Sequence, residues 1–117
     1  MLLPATSRQV LQMEEDFMKK QHFYVNFCCS KSYYPDGELV ADDQAITYKT
    51  TQLIIPAEYW NLEMKYTDIG YIYTEKTKCF KTVVIHMKDS KNYKFIIYFG
   101  RKKFYELMKS KGVIVNS

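Results

Sequence analysis

The sequence predicts a mainly β domain with α: about seven short antiparallel strands, capped by a C-terminal helix and preceded by an N-terminal helix. Three observations predict it. Aromatic residues are dominated by 11 Tyr and 7 Phe beside 1 Trp, types that suit a pleated, half-buried surface. Hydrophobic periodicity is two through the middle of the chain, broken at short intervals by turn residues, and becomes helical only near the two ends. The length of 117 residues, with no linker-like stretch, is that of one domain. An apolar share of 47% against 26% charged residues is the composition of an ordered chain.

Residues 1–21 read as a helical extension. In "TSRQVLQMEEDFMKK", Thr6 is placed as an N-cap with Gln9 three positions on, and Lys19 and Lys20 suit the negative end of a helix dipole. Val10, Met13 and Phe17 form one stripe with Leu11 and Met18 beside it. Glu14 interrupts the arc, which describes a helix lying on a surface. Glu14, Glu15 and Asp16 deny it the basic face of a membrane-surface helix.

Residues 22–112 carry the domain. Phe23, Val25 and Phe27 alternate on one face of a first strand, which ends before the turn signal Pro35-Asp36-Gly37. Glu38 to Ala41 and Ala45 to Lys49 read as a hairpin around Asp42-Asp43-Gln44, and Leu53 to Ile55 as a short strand stopped by Pro56. Leu62 to Tyr66 and Gly70 to Thr74 supply two more. In the last hairpin, "KTVVIHMKDSKNYKFIIYF", opposing Val83 with Ile97, Ile85 with Phe95 and Met87 with Tyr93 keeps both apolar series on the core face with Phe99. The loop is then Asp89-Ser90-Lys91. The outer face grades from His86, Lys88 and Lys94 to the apolar Val84, Ile96 and Tyr98. After Gly100 the period turns helical: Phe104, Leu107 and Met108 lie on one stripe, and Gly112 is a natural stop. Residues 113–117 read as a tail.

Charge is unevenly spread. Residues 75–117 hold eleven Lys/Arg against Glu75, Asp89 and Glu106, a net of +8, while the remainder is −4. Such polarity attracts polyanions at one end or lets the two halves of a fold attract each other. Arg101, Lys102 and Lys103 stand in the first turn of the last helix, where each positive charge opposes the dipole by about 0.3–1 kcal/mol at most. A purely structural account leaves that placement unexplained.

The chain lacks the patterns of several chemistries. His22, His86, Cys28, Cys29 and Cys79 show no metal-ligand spacing, and neighbouring cysteines on a strand face opposite ways, so neither a metal nor a disulfide framework is expected. Cys79 and His86 have no third group to orient them as a nucleophile pair. Gly37, Gly70, Gly100 and Gly112 are isolated and form no phosphate-cradling loop. No helix-turn-helix, RNA-recognition or zinc-finger pattern points to nucleic acid. No apolar run reaches the length of a membrane span, and "MLLPATSRQ" has neither the basic start nor the apolar stretch of a signal peptide. The expected location is the cytoplasm, with peripheral membrane contact through the basic half.

Strands in this order with one C-terminal amphipathic helix resemble the pleckstrin-homology-like barrel, and in particular its GRAM and bacterial PH-like branch. The carrying segments are "GELVADDQAITYKT", similar to a tightly turned hairpin of that branch, "MKYTDIGYI", similar to its strand turn, and "VVIHMKDSKNYKFIIYFGRKKFYELM", similar to its last hairpin and helix. The resemblance spans Gly37 to Met108. It implies a non-catalytic module that binds lipid head groups, membranes or protein segments, without a cofactor. Phosphoinositide-binding members cluster Lys/Arg around the first strand pair; here "CCSKSYYPDGE" offers Lys31 alone, beside Asp36 and Glu38. Candidate groups for an anionic lipid surface are therefore Lys76, Lys78 and Lys81 before the last hairpin, and Arg101, Lys102 and Lys103 at the helix start. Tyr59, Trp60, Val84, Ile96 and Tyr98 are candidates for a protein interface or self-association into a homo-oligomer.

Overall fold

Why the strands alternate as they do is visible in their shared interior. The computed structural model describes residues 20–31, 33–76 and 80–116; the expected N-terminal helix, Lys78 and Cys79 lie outside the described residues. The strands are β1 (Gln21–Phe27), β2 (Asp36–Ala41), β3 (Ala45–Lys49), β4 (Asn61–Lys65), β5 (Ile69–Lys76), β6 (Lys81–Met87), β7 (Asn92–Ile97) and the two-residue β8 (Val115–Asn116). They form one sheet in the order β4-β3-β2-β1-β7-β6-β5-β8, antiparallel throughout except where β8 runs parallel to β5. Phe23, Val25 and Phe27 of β1, Leu39 of β2, Tyr48 of β3, Met64 of β4, Ile72 of β5, Ile85 of β6 and Phe95 of β7 belong to a single buried cluster. Strands at both extremes of a sheet share one core only if the sheet curls over on itself.

The helix α1 (Arg101–Ser110) plugs that curl with Phe104, Tyr105 and Met108, all buried. Phe104 meets Phe23 edge to face, with ring centroids 5.3 Å apart, and Tyr105 is hydrogen-bonded through its hydroxyl to Thr74 of β5. Beyond the helix the chain is anchored too. Val113 is buried, and Ile72 N donates to Ile114 O at 2.8 Å. Residues 113–116, expected as a tail, thus extend the sheet along β5.

Three expectations need correction. Leu53 to Ile55 is a turn, not a strand: Ile55 alone is buried, and Trp60 Nε1 donates to its carbonyl at 2.8 Å. In the last hairpin the register is Val83 with Phe95 and Ile85 with Tyr93, two residues tighter than the hydrophobic pattern suggested. The loop is Lys88-Asp89-Ser90. Ser90 adopts φ 77°, Ser90 N donates to Met87 O at 3.0 Å, and Met87 N donates to Lys91 O at 2.8 Å. This is the bonding of a three-residue hairpin loop closed by a left-handed residue. An even shift preserves the facing, so Val83, Ile85, Met87, Phe95 and Ile97 are buried as expected. Phe99 is not: the strand ends at Ile97, and the Phe99 ring is 82% exposed.

Candidate binding surface

The basic candidates are positioned by two chain reversals. Lys76 and Lys81 stand directly opposite one another at the end of the β5–β6 pair, both exposed. Like charges so placed cost a few tenths of a kcal/mol. At the other reversal, β7 ends, and Gly100 with φ 83° turns the chain into α1. That left-handed conformation is one a side chain would strain. It sends Arg101 back toward the start of β6.

Lys81 and Arg101 consequently line one open depression of about 640 Å³, together with Phe80, Tyr98, Ile96 and Asn26. Ion pairs among the described residues join Lys94 to Glu75 at 3.1 Å, Lys111 to Asp43 at 3.5 Å and His22 to Glu38 at 3.2 Å. None takes up Lys76, Lys81, Arg101, Lys102 or Lys103, and Lys102 and Lys103 are exposed. Gly100 provides no side-chain cap, and the first intrahelical bond is Phe104 N to Gly100 O at 2.8 Å. The amides of Arg101 to Lys103 precede it and carry the positive end of the dipole.

The interface candidates divide. Val84 is fully buried and offers no surface. Tyr59 packs its ring 5.1 Å from Phe27 at the edge of the core, and Trp60 braces the β3–β4 loop through its indole. Trp60 is nonetheless 37% exposed, and Ile96 and Tyr98 line the same depression as Lys81 and Arg101. Sequence reasoning missed Phe80 and Phe99, whose rings are 39% and 82% exposed. The available signal was their position: Phe80 directly precedes Lys81 and Phe99 stands two residues before Arg101, both just outside a strand, where alternation no longer governs facing.

Burial raises the thiols of Cys28 and Cys29, for Cys28 with Glu75 adding to the effect and Lys94 opposing it. Both are held away from the reactive thiolate form. Among the described residues no cluster of three or more His, Cys, Asp or Glu is arranged to hold a metal ion, and no helix is long and apolar enough to cross a membrane.

A curled antiparallel sheet plugged by one C-terminal helix is a pleckstrin-homology-like fold, and solved structures similar to this chain include domains of that kind. No protein-family model and no curated protein matches the sequence. The C-terminal domain of an unknown protein from Leishmania infantum matches with TM-score 0.64 at 14% identity, over 89% of this chain and 95% of that one. The Spt16D Pob3N heterodimer structure matches with TM-score 0.61 at 10% identity, over 84% of this chain and 54% of that one. The linker-DH/PH domains of p115-RhoGEF match with TM-score 0.59 at 10% identity, over 78% of this chain and 28% of that one. The chain thus spans about half of the second structure's chain and little more than a quarter of the third's. At these identities the likeness is one of fold.

Proposed function

We propose that this chain is a non-catalytic binding module of the GRAM or bacterial PH-like branch, with an anionic membrane surface as its partner. The observation that carries the reading is the convergence of Lys81 and Arg101, distant in sequence, on one depression beside Phe80 and Tyr98. A membrane interface offers anionic head groups with apolar material just beneath. Cations that no ion pair engages among the described residues, interleaved with exposed aromatic residues, meet both layers. Exposed Phe99 just before α1 and exposed Lys102 and Lys103 in its first turn add the same residue types next along the chain. The reading also accounts for charges that oppose the helix dipole when the site is empty. A phosphate group seated there interacts favourably with the uncapped amides and the side chains together.

Co-sedimentation of the full chain with neutral vesicles and with vesicles containing phosphatidylserine, at low and physiological salt, tests it. Expected is retention on the anionic vesicles alone, weakening as salt rises. Lys81→Glu with Arg101→Glu should weaken retention by roughly 30-fold or more, since each cation near such a surface contributes about 1 kcal/mol. Retention unchanged by that double reversal would falsify the proposed surface.

A further inference from the structure

We infer that the chain also pairs with a second copy of itself through the outer face of β1, β2 and β7, the basic depression of each copy receiving an acidic one of the other. Beside the depression of Lys81 and Arg101 lies a second, of about 490 Å³, lined by Tyr24, Asp36, Glu38 and Lys49. Asn26 and Tyr98 line both, and the Tyr98 hydroxyl donates to Asn26 Oδ1. They form a shared wall.

Strand register produces the arrangement. Tyr24 stands opposite Glu38, while Asn26 stands opposite Asp36 on one side and Ile96 on the other. Side chains of alternate residues share a face, so acid collects on the β2 side of β1 and base on the side of β7 and α1. Lys49 stands opposite Glu38 at the far margin. Asp36 Oδ1 accepts from the neutral amide of Gln52 at 2.8 Å, and Glu38 contacts the His22 imidazole at 3.2 Å. No ion pair with Lys or Arg engages either carboxylate among the described residues.

A two-fold axis through the shared wall carries base onto acid twice, which is the self-complementarity an isologous contact requires. It also sets Tyr24, 70% exposed, and Tyr98, 59% exposed, against the partner copy. Tyrosine and arginine are residue types enriched where proteins meet. Alternative orientations place like charges together, so the charge pattern selects one. A contact confined to these depressions belongs with the small interfaces, below about 1,200 Å², that operate at micromolar or weaker affinity. The pairing covers Lys81 and Arg101, so an anionic surface competes with it for the same cations.

Sedimentation velocity of the full chain from about 10 μM to about 1 mM reads the association directly. Lys81→Glu with Arg101→Glu makes both depressions acidic, and Asp36→Lys with Glu38→Lys makes both basic. Expected is a wild type that moves from monomer to dimer across the series, each variant alone at least tenfold weaker, and an equimolar mixture that pairs again. Because Asp36 also holds Gln52, the milder pair Lys81→Glu and Glu38→Lys repeats the mixing test with that bond left in place. A wild type monomeric throughout, or mixtures as monomeric as their components, overturns the pairing. A monomeric wild type that still sediments with anionic vesicles leaves the membrane reading standing alone, whereas a dimer indifferent to vesicles supports the pairing and removes that reading.

Discussion

Neutralising the first turn of α1 with Lys102→Gln and Lys103→Gln should stabilise the fold while weakening membrane binding. Both side chains are exposed, and the turn they occupy has no side-chain cap. Lysine and glutamine have nearly equal helix propensity, so the main change is the removal of two positive charges from the positive end of the dipole. At about 0.3–1 kcal/mol each in low salt, the gain is about 1 kcal/mol, which raises the thermal midpoint of a domain this size by about 4 °C. Binding moves the other way. Two cations withdrawn from an anionic surface cost about 2 kcal/mol, or roughly 30-fold in affinity. Phe104→Ala is the control: that side chain is fully buried against Phe23, and its truncation should cost about 3–5 kcal/mol, a large share of a small domain's stability. Thermal unfolding monitored by circular dichroism and vesicle co-sedimentation, at the same low salt, give both readouts. A lowered midpoint in the lysine variant, or vesicle affinity within about threefold of wild type, would refute the division of the helix into a plugging face and a charged first turn.

Gly37→Ala should destabilise by about 2–3 kcal/mol, because an added Cβ would lie 2.5 Å from the Lys49 carbonyl oxygen and 2.7 Å from Tyr48 Cε1. Gly112→Ala meets open space and only a φ of 83°, so it should cost about 1 kcal/mol; urea midpoints in the reverse order would contradict this packing. Burial holds the phenols of Tyr48, Tyr59 and Tyr66 above the ordinary tyrosine range, with Asp42 and Asp43 adding to the effect at Tyr66. Above pH ~10 the unfolded chain ionises these groups while the folded one retains their protons, so their contribution is complete below that pH and is lost as pH rises toward the folded values. Phenolate absorbance and circular dichroism followed together should show these rings titrating late and with unfolding. All 11 tyrosines ionising near pH ~10 in a still-folded chain would contradict it.

The parts of the fold legible in the sequence were those set by parity. Alternation placed Phe23, Val25, Phe27, Val83, Ile85 and Phe95 on the core side, where all are buried. Parity cannot distinguish registers two residues apart, however, and the β6–β7 pairing was decided by turn chemistry: Asp89 Oδ1 accepts from Lys91 N at 3.0 Å, and Ser90 takes the left-handed conformation. Three adjacent apolar residues at Leu53 to Ile55 looked like a strand for a related reason. A run of apolar residues becomes a strand only where a partner strand exists, and the loop here is instead pinned by Gln52 to Asp36 and Tyr33 and by Trp60 to Ile55. Leu53 and Ile54 are left 61% and 83% exposed.

The candidate surface was legible as charge but not as place. Counting lysines located two basic clusters, and nothing in their spacing indicated that Lys81 and Arg101 would share a depression. That juxtaposition depends on β6 and β7 being neighbours and on Gly100 reversing the chain at the end of β7. The same neighbour relation explains Val84. On the outer face it is flanked across the sheet by Tyr73 and Lys94, long side chains able to cover a small one, and it is buried without belonging to the core cluster. At Val84, then, burial on the outer face is set by what stands beside the residue and not by membership of the core. Tyr98, one residue beyond β7 and 59% exposed, lies beside Tyr24 of β1, itself 70% exposed, and its amide donates to the Tyr24 carbonyl at 3.5 Å. The side chains best placed to meet a partner are therefore two large neighbours on the outer face that stand exposed together, a pairing that the spacing of neither in the sequence announces.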